Sequence, residues 1–179
     1  LYWSQGDRDQ AVQALAQALQ YDPDKTATYY IYNSARLSYL EKDFLQARDQ
    51  IDPLLLSQAD YFPAWLLKGQ IELALNHPTE AQAALEKAVA INPNHVTARY
   101  NLGVAYQAQR QFTEAAANLR IAAQLDTVHT ASLELLLQVY GQMGDTCRTD
   151  YLQPVLTLIQ DGQSINLETK FAEMDQKCP

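Results

Sequence analysis

Trp65-Leu66-Leu67-Lys68-Gly69-Gln70-Ile71-Glu72 returns 34 residues later as Arg99-Tyr100-Asn101-Leu102-Gly103-Val104-Ala105-Tyr106, and the residues C-terminal to each copy repeat as well. Ala81, Leu85 and Ala88 recur as Ala115, Leu119 and Ala122, and the stop at Asn92-Pro93 has a fainter echo in Asp126-Thr127. Small and large apolar residues in fixed order at a fixed period of this length mark helix–turn–helix units stacked as a solenoid. One such unit cannot bury its apolar face alone.

The small residues carry the packing. Helix backbones approach to about 8–10 Å only where the side chains at the crossing are short. Gly69, Gly103 and Ala35, on the first helix of each unit, are expected to face Ala81, Ala115 and Ala47 on the second. Each pair then stacks on the next with a small rotation, and the rotations accumulate into a superhelix with a concave face.

Outward from this stretch the period continues in both directions. Residues 1–25 read as the end of a truncated unit: a turn at Gly6-Asp7, a stripe of Ala11, Leu15 and Ala18, and a stop at Tyr21-Asp22-Pro23-Asp24. Leu1 opens in what reads as the middle of a helix, so the sequence is expected to begin inside a larger protein. The next unit spans 28–61, with Ala35 in the glycine place and Phe44, Ala47 and Ile51 on its second helix, after about two extra residues around Asp24–Ala27. Pro53 falls late in that helix, where an interior proline costs about 3 kcal/mol, and it predicts an irregular segment from Asp52 to Asp60.

Residues 62–95 and 96–129 are the clearest units. Pro78 suits the opening turn of a second helix, and Phe112, in the equivalent place, is expected to enter the core. Residues 130–161 keep Tyr140 in register but lose the small residues: Leu137, Thr149 and Leu156 replace them, and Pro154 interrupts the second helix. After Gly162-Gln163-Ser164, Asn166 is placed to cap a short helix with Leu167, Phe171 and Met174 on one stripe. Residues 162–179 thus read as a capping helix over the exposed end, plus a tail.

Composition excludes several classes. Apolar residues make up 47% and charged ones 19% of the 179, which is globular rather than disordered. A net charge of −8 lacks the basic footprint of a phosphate binder, so nucleic acid and anionic membrane surfaces are not expected partners. No apolar run is long enough to span a bilayer, the longest being segments such as 133–137 and 155–159. His77, His95 and His129 fall in predicted turns, the last two one period apart, but no Cys or carboxylate completes a ligand set and no metal is expected. Nucleophile elbows, phosphate-cradling loops and paired carboxylates are absent from the sequence, so neither catalysis nor a cofactor is expected.

Cys147 opens the second helix of the last unit and Cys178 follows the capping helix. If that helix runs antiparallel to its predecessor, its end returns to Cys147, and a disulfide would staple the tail. The alternative is two free thiols in a reducing cytosol. The bond would imply an oxidising compartment such as a bacterial periplasm.

Leu102-Gly103, two residues and then Tyr106, with Trp65 at the aromatic opening of the other copy, resembles the tetratricopeptide repeat (TPR) family. Arg99, Lys68 and Glu72 depart from the pattern. The resemblance implies an all-α, right-handed superhelical solenoid whose concave face is lined by first helices. By register that lining is Tyr32, Arg36 and Tyr39, then Leu66, Gln70 and Leu73, then Tyr100, Asn101, Val104 and Gln107, then Glu134 and Gln138. Tyr29 and Tyr30 add to a dense aromatic set with Tyr32 and Tyr39, and these cannot all be buried on one narrow stripe. The family's carboxylate clamp is matched only by Asn101, because Leu66, Ala131 and Leu135 stand where Lys or Arg is wanted. The implied role is a non-enzymatic module that docks a peptide or protein segment with apolar and aromatic anchors, at about micromolar affinity, and scaffolds a complex. Self-association as a homo-oligomer, or regulation of an enzyme encoded upstream, are the competing readings.

Overall fold

The computed structural model describes residues 23–126 and 130–178, with side chains from residue 27 onward. Its helices are α1 (Pro23–Leu40), α2 (Phe44–Ser57), α3 (Phe62–Ala74), α4 (Pro78–Ile91), α5 (Val96–Ala108), α6 (Phe112–Leu125), α7 (Ala131–Met143), α8 (Thr146–Gln160) and α9 (Leu167–Lys177). The first eight pack as consecutive antiparallel pairs, each second helix also touching the first helix of the next pair. The truncated unit expected before Pro23 lies outside the described residues.

Inside each pair the turn is built the same way. Lys42, Asn76, Arg110 and Gly144 stand 34 residues apart, and all four are left-handed, at φ 65°, 61°, 61° and 73°. The next residue closes each turn by donating its N–H five residues back: Asp43 to Ser38, His77 to Glu72, Gln111 to Tyr106 and Asp145 to Tyr140, at 2.8–2.9 Å. This is the Schellman arrangement, which satisfies the last carbonyls of one helix before the next begins. Asp43 and Asp145 then cap the second helices they precede.

Three prolines behave differently from the expectation. Pro23 opens α1, because the first turn needs no N–H from it, so residues 24–27 are helical rather than a connection; the end of the helix expected before it lies outside the described residues. Pro53 and Pro154 lie inside α2 and α8, which run on to Ser57 and Gln160. Both prolines are exposed, and so are Asp49 and Asp150 four residues before them. The carbonyls that lose a hydrogen bond therefore face water, and the helices continue.

The glycine crossings are also more specific than expected. A Cβ on Gly103 would lie 2.7 Å from Cγ of Leu119 and 3.4 Å from the Ala115 carbonyl oxygen, and one on Gly69 would press still closer on Leu85. The glycines therefore face mainly the large residue of the stripe, not Ala81 and Ala115. In the last pair Leu137 fills the glycine place and is itself buried. Gln153, in the place of Leu119, is exposed, and α8 buries Leu152, Val155 and Leu156 instead. Its apolar stripe is turned by one residue.

Three apolar clusters run along the array. One joins α1, α2 and α3 around Ile51, Leu54 and Ile71; a small one joins α4 and α5 around Leu85 and Leu102; the largest joins α6 to α9 around Leu119, Leu136 and Leu152. Phe112 packs half-buried at the margin of the last. Asn166 Oδ1 accepts the Thr169 N–H at 3.0 Å and starts α9, which buries Leu167, Phe171 and Met174. α9 packs on α8 and reaches α6, so it closes the flank formed by the last two second helices rather than lying across the open end.

Candidate partner-binding face

The first helices of successive pairs lie side by side. α1 touches α3, α3 touches α5, and Gln107 on α5 donates its Nε2 hydrogen to Oε1 of Gln142 at the end of α7, at 3.1 Å. The residues nominated by register all sit on these four helices, and none is fully buried. Arg36, Glu134 and Gln138 are exposed; Tyr32, Tyr39, Leu66, Gln70, Leu73, Tyr100, Asn101, Val104 and Gln107 are half-buried.

Half-burial has a structural cause. Tyr32 and Tyr39 pack against the first cluster, Leu66 and Leu73 against the second and Tyr100 against the third. Tyr32 meets Tyr61 edge to face at 5.8 Å, and Tyr39 meets Phe44 at 5.6 Å. Burial pushes the Tyr32 hydroxyl above its usual pKa although the Arg36 charge pulls the other way. Each of these side chains packs one part of its surface on a cluster and shows the rest to solvent.

Two apolar residues of the same stripe are open. Tyr29 is 53% and Leu40 62% exposed, three residues before Tyr32 and four after Arg36. Tyr29 belongs to the aromatic set of which some member has to be exposed. Leu40 is an addition to the register lining; the signal for it is that it lies one period before Ala74 and so repeats the end of a first helix. The Asn101 amide nitrogen is buried and meets no hydrogen-bond acceptor among the described residues. At the α7 end the face turns polar, where Glu134 accepts from Gln160 Nε2 at 3.3 Å.

Two of the turn histidines have partners, and His77 keeps an exposed side chain as well. Nδ1 of His77 lies 2.9 Å from Oε2 of Glu72, and Lys68 Nζ bridges Glu72 at 2.8 Å and Asp52 at 2.6 Å. Glu72 stands where the other units carry Tyr106 and Tyr140, and it is buried. Burial alone would raise its carboxyl, but the bonds and charges of Lys68 and His77 outweigh this and hold it below the ordinary value. The cluster ties α2 to α3 and to the cap of α4. His95 accepts the Ala98 N–H on Nδ1 at the start of α5 and packs at a tilt against Phe62, ring centroids 4.8 Å apart, and His129 lies outside the described residues. Among the described residues no group of three His, Cys, Asp or Glu is gathered for a metal, and no helix is long and apolar enough to cross a membrane.

At the far end Cys147 and Cys178 are joined in a disulfide with Cα atoms 5.7 Å apart. Arg148 donates to the Cys178 carbonyl at 2.7 Å and also pairs with Asp145.

Two family models described as tetratricopeptide repeat match the chain, over residues 2–71 and 66–128. The sequence is 33% identical over 86 residues to tetratricopeptide repeat protein 37 of Xenopus laevis, covering 47% of this chain and 6% of that protein's length. Among solved structures, MamA (41-end) from Desulfovibrio magneticus RS-1 is similar at a TM-score of 0.79 and 20% identity, covering 92% of both chains. A thermophilic TPR protein of Thermus thermophilus is similar at 0.66 and 19%, covering 96% of this chain and 92% of that one. The first TPR of Spaghetti (RPAP3), bound to the HSP90 peptide SRMEEVD, is similar at 0.63 and 14%, covering 65% and 93%. At these identities the shared property is the fold, an all-α superhelical solenoid of helix pairs.

Proposed function

Because the chain belongs to the tetratricopeptide-repeat family, we propose that it is a non-enzymatic interaction module whose first helices α1, α3, α5 and α7 line a groove for a segment of a partner protein, so that the array scaffolds a larger complex. The observation that carries this is the run of half-buried Tyr32, Leu66, Leu73 and Tyr100, continued by exposed Tyr29 and Leu40. A spacer would have no use for apolar side chains kept open along one face. A segment with aromatic or aliphatic anchors toward α1 and polar groups toward Glu134 and Gln138 fits this lining. Kinship to a TPR structure holding a peptide supports the same role.

The test is capture from the source cell's lysate with the wild type and with a Tyr29→Ser, Arg36→Glu, Leu40→Ser variant. These side chains are exposed, so the fold survives their change. A partner held by the wild type and lost by the variant supports the groove; identical captures defeat it.

A second reading, self-association, has its own observation. Leu45 and Leu56 are 55% and 90% exposed at the two ends of the outer face of α2. Sedimentation that changes with concentration, and that Leu56→Asp abolishes, would favour it. The Cys147–Cys178 bond supports an oxidising compartment, and two titratable thiols in unreduced, denatured protein would exclude that.

A further inference from the structure

α9 closes the groove between α6 and α8, and its helical form depends on what it packs against there. Its 11 residues are too few to stay helical alone, so its shape depends on burying Leu167, Phe171 and Met174 beneath it. Three polar contacts supplement these: the Arg120 guanidinium forks onto Asp175 at 2.7 and 3.1 Å, Tyr151 donates to Glu173 at 2.6 Å, and Arg148 donates to the Cys178 carbonyl. At its leading end the connection is weak. Asp161 to Ser164 are exposed, Gly162 is left-handed, and a cleft of about 910 Å³ separates this turn from Gln124 and Ile159. The trailing end is held covalently, and the two sulfurs of that bond are not equivalent. Cys178, which caps α9, is 4% exposed; Cys147, in the first turn of α8, faces solvent.

We propose that α9 is a thiol-released strap, opened by attack of an external dithiol on the Cys147 sulfur. The incoming thiolate bonds to Sγ of Cys147 and the Cys147–Cys178 bond breaks, its electron pair leaving on Cys178, which then takes a proton from water. Arg148 sets a cation beside the residue that receives this charge. The second thiol of the reductant displaces Cys147 from the mixed disulfide. The balance is one protein disulfide and one dithiol converted to two protein thiols and one oxidised reductant, a two-electron exchange. Attack on Cys178 would have to pass through packed protein, so the order of events follows from burial.

Released, α9 uncovers the apolar stripe of α8, Leu152, Val155 and Leu156, on the second-helix side of the array and away from the first-helix face. The array then carries a second apolar surface under redox control. The bond closes a loop across a separation of 31 residues, so its loss should raise the opening equilibrium of α9 about 100-fold.

Hydrogen exchange on the full chain, oxidised and after treatment with a dithiol, reads this directly. Amides of α9 should exchange about 100-fold faster after reduction, with those of α1 to α4 unchanged. A Cys147→Ser, Cys178→Ser variant should match the reduced protein with no reductant present. A monothiol in place of the dithiol should be trapped on Cys147. Equal α9 protection in the oxidised protein and the double variant, or a monothiol found on Cys178, would overturn the proposal.

Discussion

Gly69 and Gly103 make the sharpest claims that single residues allow. Replacing Gly103 by Ala puts a methyl 2.7 Å from Leu119 Cγ, in a core with no slack. The variant should lose about 1–3 kcal/mol in a denaturant titration, against which the better helix propensity of Ala returns at most about 1. Gly69→Ala should cost more, since Leu85 stands closer, and Leu119→Val should rescue part of the Gly103→Ala loss. Glu72 makes a prediction about pH. Its carboxyl is held below the ordinary value in the folded chain, so its stabilisation is complete above that value, 4.5, and disappears as the pH falls through the folded one. Glu72→Gln should therefore cost about 2 kcal/mol near neutrality, with the gap to wild type closing as the pH falls below the ordinary carboxylate value and through the lowered folded one. A constant gap in urea midpoints across this range would mean that Lys68 and His77 are not its partners. The close glycine crossing is legible in the order of small and large residues, and Lys68, four residues before Glu72 on the same helix, is a legible partner; the burial of the pair and the approach of Asp52 are not, because they arise only once α2 and α3 are packed.

At the scale of one element, the helices show where sequence pattern succeeds and where it fails. The pairs are legible because Ala81, Leu85 and Ala88 and their copies state a buried stripe in residue types that have no other reason to recur. The glycine partners come out one turn away from the alanines expected, because the repeat gives the order of small and large residues but not the azimuth at which helices meet. Pro53 reads as a break when its cost is counted without its orientation; a carbonyl freed toward water is satisfied there. Pro53→Ala should restore one helical hydrogen bond and raise stability by about 1–2 kcal/mol, less than the full interior penalty because proline also restricts the unfolded chain. Pro78→Ala, in a first turn where the N–H is not needed, should be neutral or slightly destabilising. Equal effects of the two substitutions on the melting temperature would contradict this account. Of the candidate face, the half-buried positions are legible from register, while exposed Leu40 is not, since only its period, and nothing in its type, separates it from a core leucine.

For the molecule as a whole, stability should follow the distribution of its clusters. An array holds together by nearest-neighbour contacts, so no single core averages out local differences. The cluster from α6 to α9 is the largest, contains Phe171, Leu136, Leu152 and Met174 fully buried, and is tied across α9 by Arg120, Arg148 and the disulfide. The cluster between α4 and α5 consists of Ala81, Leu85, Leu102 and Ala105 with half-buried neighbours. Burial contributes roughly 25 cal/mol per Å² of apolar surface, so this alanine-rich junction is the weakest link. In urea below the global midpoint, amides of α7 and α8 should stay protected longest in the oxidised protein. Amides flanking the α4–α5 junction should open first, leaving α1 to α3 in an intermediate position on the strength of Ile51, Leu54 and Ile71. Hydrogen exchange across a urea series reads this order. A single opening free energy shared from α1 to α8 would show that the pairs unfold as one body and that cluster size does not rank them. If the order holds, a partner that bridges α3 and α5 on the first-helix face gains a second role, because it clamps the junction where the array parts most easily, and its binding should raise protection at α4 and α5 more than at either end.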